Sequence, residues 1–153
     1  MRIESPAFEE NGFLPVAYTC DGVGVNPPLI FADVPTEARS LALIVDDPDV
    51  PKDRHPDGLF VHWVLWNIDP AITGIEENSV PQGAVEGATT RGVPGFVRAC
   101  PPDREHRYFF KLYALDTPLN LPATAGKDEL EKALEGHTLA SATLMARYDR
   151  PVK

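Results

Sequence analysis

No stretch of this chain comes near the roughly 20 consecutive apolar residues that a membrane-spanning helix needs, so its 43% hydrophobic content belongs to a folded core. Positive charge is also scarce: 14 Lys and Arg stand against 23 Asp and Glu, a formal net charge of -9. The few cations are scattered, and a phosphate backbone or an anionic lipid surface is bound by a stripe of them. Nucleic acid and stable membrane insertion are both excluded on this reading. The N-terminus, "MRIESPAFEENG", puts Glu4, Glu9 and Glu10 where a secretory signal needs a basic end and an apolar run, so a cytoplasmic setting is expected. Cysteine is limited to Cys20 and Cys100, with no CxxC spacing, which excludes a zinc ribbon. Both lie in turn-like segments able to meet in space, but without an export signal they are expected as two thiols in packed loops rather than as a lasting disulfide.

What the chain does have is punctuation. Sixteen prolines and 11 glycines separate apolar runs of strand length, so the class is mainly β, and the length suits a single domain over residues 1–153. Strands are predicted over 40–46, 60–68, 107–115 and 142–148, with weaker ones near 1–8, 13–18 and 28–31. In 60–68 alternation places Phe60, Val64, Trp66 and Ile68 on one face and Val61, Trp63 and Leu65 on the other. Both faces are apolar, which predicts a central strand with His62 buried in it. Tyr108, Phe110, Leu112 and Ala114 share a face that extends back to His106. One segment reads as an amphipathic surface helix, roughly 127–135, with Leu130, Ala133 and Leu134 inward and Gly136 as its stop. A second short helix finds room only in 76–83.

The run "SLALIVDDPDVP" ends a buried strand in three aspartates and two prolines. Asp47 continues the face of Leu41, Leu43 and Val45, and Asp46 that of Ala42 and Ile44, so one of the two must point inward. Pro48 and Pro51 stiffen the turn and hold its carboxylates. Alone such a turn is only a turn, and His62 alone is a satisfied core histidine. If the three strands lie side by side, however, Asp47, Asp49, His62, His106 and Tyr108 meet at one mouth of a sheet. Carboxylates keep neighbouring imidazoles protonated, and protonated imidazoles with a phenol hydroxyl suit a bound anion.

Together, "LALIVDDPDVP", "VHWVLWNI" and "CPPDREHRYFFKLYALD" resemble, in order and spacing, the phosphatidylethanolamine-binding proteins, in the bacterial and archaeal branch similar to Raf kinase inhibitor protein. The segments at 5–35 and 134–150 look like that branch too. The resemblance implies an antiparallel β-sandwich with a large central sheet, one or two peripheral helices, and a small anion pocket at one end. Its DPDxP aspartates fall on Asp47 and Asp49, with Pro51 closing the motif. Its pocket histidines fall on His62 and His106, its tyrosine on Tyr108, and its structural arginine on Arg107, paired with a nearby acid. The chain departs from the branch at "GFVRACPP", where "GYGGPCPP" is usual, and at Arg104, where GxHRY has glycine. Arg98 then either restores a fixed positive charge to the pocket or faces solvent.

The reading that follows is a binding protein, not an enzyme, for a small anionic or zwitterionic ligand such as phosphoethanolamine, with no cofactor and no metal. His62, His106 and Tyr108 are its expected donors, and Asp47 and Asp49 orient the imidazoles and accept from any ligand ammonium. Two alternatives use the same residues: an inhibitor-like protein whose partner is a kinase or protease, and a metal-assisted or acid/base enzyme. The chain has no nucleophile elbow, HExxH or phosphate loop to support the latter. A homodimer is what the resemblance implies for assembly.

Overall fold

The computed structural model describes residues 1–152. Its strands are β1 (Arg2–Glu4), β2 (Gly12–Phe13), β3 (Leu29–Ala32), β4 (Ser40–Asp47), β5 (Phe60–Ile68), β6 (Gly74–Ile75), β7 (Val85–Glu86), β8 (His106–Leu115) and β9 (Thr138–Tyr148). A 3-10 turn spans Val16–Tyr18, and α1 (Lys127–Leu134) is the α-helix of the described residues. The chain is therefore mainly β, as its turn spacing predicts. All eight residues of β4 are buried, because this strand has cover on both faces.

The larger sheet has six strands in the order β2-β9-β8-β4-β5-β7, and the smaller has three in the order β1-β3-β6. Pairing is antiparallel except between β2 and β9, which run parallel and make the large sheet mixed. Between the sheets lies the main core, where Leu41, Leu43 and Val45 of β4 meet Phe110 and Leu112 of β8 and Ile3, Leu29 and Phe31 of the small sheet. The opposite face of β4, Ala42 and Ile44, packs with Val64 and Trp66 under Leu130 and Leu134 of α1. Trp63 and Trp66 are fully buried on opposite faces, each contributing on the order of 4–6 kcal/mol by the area such a ring removes from water.

The helix begins at Gly126, whose N–H donates to Glu129 Oε2 at 2.9 Å, and Asp128 and Glu129 sit where the helix dipole favours acids. No second helix forms in 76–83. That segment is held in turns, with Asn26 Oδ1 accepting from the Ser79 N–H and the Asn26 carbonyl accepting from the Asn78 N–H.

Simple alternation fails in β5. Val45 pairs with Trp63 but Asp46 pairs with Val61, so β5 carries an extra residue there; a second extra residue lies between Leu65 and Ile68, where Asn67 has φ of 54°. Trp63, Leu65 and Ile68 consequently share the main core, while Val61, Val64 and Trp66 face the helix. The expected grouping of Phe60 and Ile68 with Val64 and Trp66 is thus corrected by two bulges.

Cys20 and Cys100, expected as separate thiols, are joined in a disulfide. The reason is a local bridge between Thr19 and Ala99, in which the Cys20 N–H donates to the Ala99 carbonyl at 2.9 Å. This brings the two Cα atoms to 5.3 Å, within bonding reach.

Candidate functional site

At the end of the main core where β4 and β5 meet the start of β8 lies a cavity of about 140 Å³, lined by Asp47, Pro51, His62, Arg98, His106 and Tyr108 among others. Of the residues singled out from the sequence, all but Asp49 therefore come together there. The Asp49 carboxylate is spent on Arg107, taking the guanidinium Nε and Nη2 at 2.9 Å each and the Arg107 backbone N–H at 2.9 Å. These bonds from Arg107 hold the Asp49 carboxyl below its ordinary pKa despite partial burial. The expected role of Asp49 in ligand contact is corrected to that of a clamp between the Asp-Pro turn and β8.

Asp47 is also a structural acceptor. One oxygen takes the Asp49 N–H at 2.7 Å, closing the turn, and the other meets His106 Nδ1 at 2.6 Å. His106 Nε2 meets Asp103 Oδ1 at 2.7 Å. With an acceptor at each nitrogen and no exposure, His106 is an imidazolium fixed at both ends. Burial opposes that charge, but the hydrogen bonds and charges of Asp47 and Asp103 outweigh it and raise the pKa. His106 thus has no N–H left for a ligand, which corrects its expected role as a donor. Asp46 is equally buried but on the helix face, where it takes Lys111 Nζ at 3.0 Å. Burial raises its pKa against the pull of that lysine.

His62 differs from His106 in every respect but burial. The bulge at Val61–Trp63 turns it to the cavity side, where its ring lies 5.3 Å from Tyr108 and 4.7 Å from Phe60. The Val97 carbonyl sits 2.6 Å from Nδ1, and a carbonyl only accepts, so Nδ1 carries the proton. Burial drives the ring's pKa down to about 4, so it is neutral at ordinary pH and Nε2 is a bare acceptor. The expectation of a protonated His62 is corrected by the absence of any carboxylate bonded to it. Neither His62 Nε2 nor the Tyr108 hydroxyl has a partner among the described residues. Burial, with the Asp47 and Asp49 charges behind it, keeps the Tyr108 phenol protonated.

The altered loop has a defined place. The Val97 N–H donates to the His62 carbonyl at 2.8 Å, so residues 62 and 97 hold each other twice. Arg98 is exposed at the cavity rim, its stem laid against Gly24; a Cβ there would come within 2.7 Å of Arg98 Cδ, and φ of 83° favours glycine. Sequence reasoning missed Asp103, Phe60, Arg54, His55 and Arg91. Arg54 and His55 stand out only as a basic pair just beyond the Asp-Pro turn, and Arg91 carries no signal at all. No group of three His, Cys, Asp or Glu among the described residues has the arrangement of a metal site.

A family model described as phosphatidylethanolamine-binding protein matches residues 4–149. The chain belongs to this family. Relatives named UPF0098 proteins include one from Chlamydia muridarum, 45% identical with 98% of this chain and 99% of that one covered, and one from Methanothermobacter thermautotrophicus, 46% identical with the same coverage. Among solved structures, a phosphatidylethanolamine-binding protein homolog from Chlamydia trachomatis is 44% identical with a TM-score of 0.95, covering 97% of each chain. Escherichia coli YbcL, described as a new member of the mammalian family, is 27% identical with a TM-score of 0.87 over 97% of this chain and 98% of that one. The phosphatidylethanolamine-binding protein fold thus extends over nearly the whole chain. No helix among the described residues is long and apolar enough to cross a membrane.

Proposed function

We propose that the protein binds a small phosphate-bearing molecule at this cavity without changing it chemically. One observation carries the reading: the Tyr108 hydroxyl, a donor, and His62 Nε2, an acceptor, are buried and unpartnered among the described residues, and both residues line the cavity together with the exposed Arg54, Arg91 and Arg98, whose guanidiniums suit a phosphate. A buried polar atom without a partner costs roughly 1–3 kcal/mol, which a ligand that satisfies it returns as affinity. The cavity of about 140 Å³ is of a size for a small polar group.

Binding is favoured over catalysis because the groups that move protons are committed elsewhere. His106 and Asp47 hold each other and the turn, and a neutral ring with a pKa of about 4 is a weak base at neutral pH. The cytoplasmic setting expected from the sequence conflicts with the Cys20–Cys100 bridge, which cytosolic reductants act against. Alkylation and mass spectrometry of the protein taken from its own cells distinguishes the bridged form from the reduced one.

Titration of the His ring proton signals with phosphoethanolamine tests the binding reading. The His62 signal is expected to move saturably, and Tyr108→Phe to weaken the effect while the fold is kept. Absence of any shift at millimolar ligand would remove the proposal.

A further inference from the structure

The outermost strands of the two sheets are mostly poor templates for a further strand. β2, β6 and β7 have two residues each, and β1, with three, carries Arg2 and Glu4. β9 is the exception. On the side away from β8 its partner among the described residues is β2, which meets it at Ala146 and Arg147 alone, so residues 138–144 form an open edge of the six-stranded sheet. Their sequence, "TLASATL", has no charge and no proline, the devices by which sheet edges avoid one another. In a chain of net charge -9, such an edge lets two copies approach without like charges on the pairing strands.

The backbone of this edge is set to receive a strand. Met145 marks the direction: its carbonyl accepts from the Asn11 N–H at 2.8 Å and its N–H donates to Glu10 Oε2 at 2.9 Å, both outside the pairing with β8. Backbone groups alternate sides along an antiparallel strand, so those of Ser141 and Thr143 point the same way as those of Met145. They have no partner among the described residues. Thr138, Leu139, Ser141 and Thr143 are all exposed, while Ala140 and Ala142 pack against the margin of the main core. About Ser141 the run is close to a palindrome, with alanine on each side, then Leu139 and Thr143, then Thr138 and Leu144. Strands of this kind match when two copies run antiparallel about a two-fold axis.

We infer that residues 138–144 form the interface of a two-fold dimer, in which β9 pairs antiparallel with β9 of a second copy and the two large sheets become one. The register centres on Ser141, which faces Ser141 of the second copy and exchanges both N–H···O bonds with it. Thr143 faces Leu139, a residue left unpaired with β8 at the register shift between Ala114 and Leu115. The same register sets His137 of the second copy opposite Met145, whose N–H the Glu10 carboxylate holds, so a histidine approaches an acid at each end of the contact.

Sedimentation equilibrium and light scattering on the whole disulfide-bonded chain should show a mass that rises with concentration from 16.8 kDa to twice that value. Ser141→Lys sets two ammonium groups across the axis, and Thr143→Lys adds one toward each end. Each should weaken the dimer at least about tenfold and leave the unfolding midpoint of the monomer unchanged. Val80→Lys, at an exposed apolar residue outside β9, should leave the mass as it is. Amide exchange at Ser141 and Thr143 should slow at least about tenfold as the dimer forms, because those N–H groups gain partners. For the register, Ser141→Cys should give an intermolecular disulfide on air oxidation, since facing residues lie about 5.5 Å apart at Cα. Thr143→Cys should not, its two copies being more than about 13 Å apart along the strands. A monomer at every concentration overturns the inference, and so does a dimer indifferent to both lysine substitutions, which would place the contact on another surface. Cross-linking by Thr143→Cys and not by Ser141→Cys overturns the register.

Discussion

Two sets of residues at this end of the core are similar in type and do opposite work. In one, Asp47 and His106 of the cavity lining join Asp103, and Asp49 joins Arg107, so that each histidine or arginine meets a carboxylate at 2.6–2.9 Å. In the other, His62, Tyr108, Arg54, Arg91 and Arg98 line the cavity with side-chain polar atoms that have no partner among the described residues. Both sets hold a buried histidine, yet His106 is charged because two carboxylates bond it, and His62 is neutral because a carbonyl does. The charge of a buried histidine is thus set by its immediate partner rather than by burial alone.

The contrast breaks first at Asp47. Removing it with Asp47→Ala leaves a buried His106 with one carboxylate and the turn without its acceptor, so a loss of about 3–5 kcal/mol is expected in urea or guanidinium unfolding. A loss below about 1 kcal/mol would mean that the saturated set is not what holds the site. The disulfide comes next, since Cys100 lines the same cavity and the bridge closes a separation of 80 residues. Its reduction should cost about 4 kcal/mol on the chain-entropy account, read as a fall in the unfolding midpoint.

Acid should distinguish the two histidines. His62 has a folded pKa of about 4 against 6.5 unfolded, so the unfolded chain binds more protons between these values and stability declines as pH falls through that window. The decline attributable to His62 is of order 3 kcal/mol, and His62→Gln should flatten the pH dependence of the unfolding free energy there. His106 has the opposite sign: its raised pKa contributes stability that is complete below 6.5 and is lost as pH rises through the folded value.

The smallest effect sharpens the comparison most. Tyr108→Phe deletes a buried hydroxyl that bonds nothing among the described residues, so folding stability should change by less than about 1 kcal/mol, in either direction. Loss of ligand affinity without loss of stability would separate a set kept for the ligand from a set kept for the fold. A large destabilisation would assign Tyr108 to the structural side instead.

Much of the scaffold behind both sets is legible in the amino-acid order. Apolar runs bounded by turn residues locate β4 and β5, which are buried on both faces, and β8 and β9, in which burial alternates along the strand. Helical spacing of Leu130 and Leu134 locates α1. Period two places His106 with Tyr108 on the core face of β8, where both are buried. The same arithmetic misassigns β5, since a bulge depends on pairing with β4 and leaves no mark in a single strand's pattern.

What the amino-acid order determined by itself is therefore the β class, the main strands, the helix and which side chains share a strand face, as His106 and Tyr108 do, because local periodicity and turn chemistry act over a few residues. Tertiary structure alone decided which of those residues are free. Asp49 is consumed by Arg107 across 58 positions, His106 is locked by Asp103, Cys20 reaches Cys100, and Arg91 joins Arg54 and Arg98 at one rim. Hydrogen-bond partnership and protonation depend on contacts between distant segments, and only the folded chain brings those segments together.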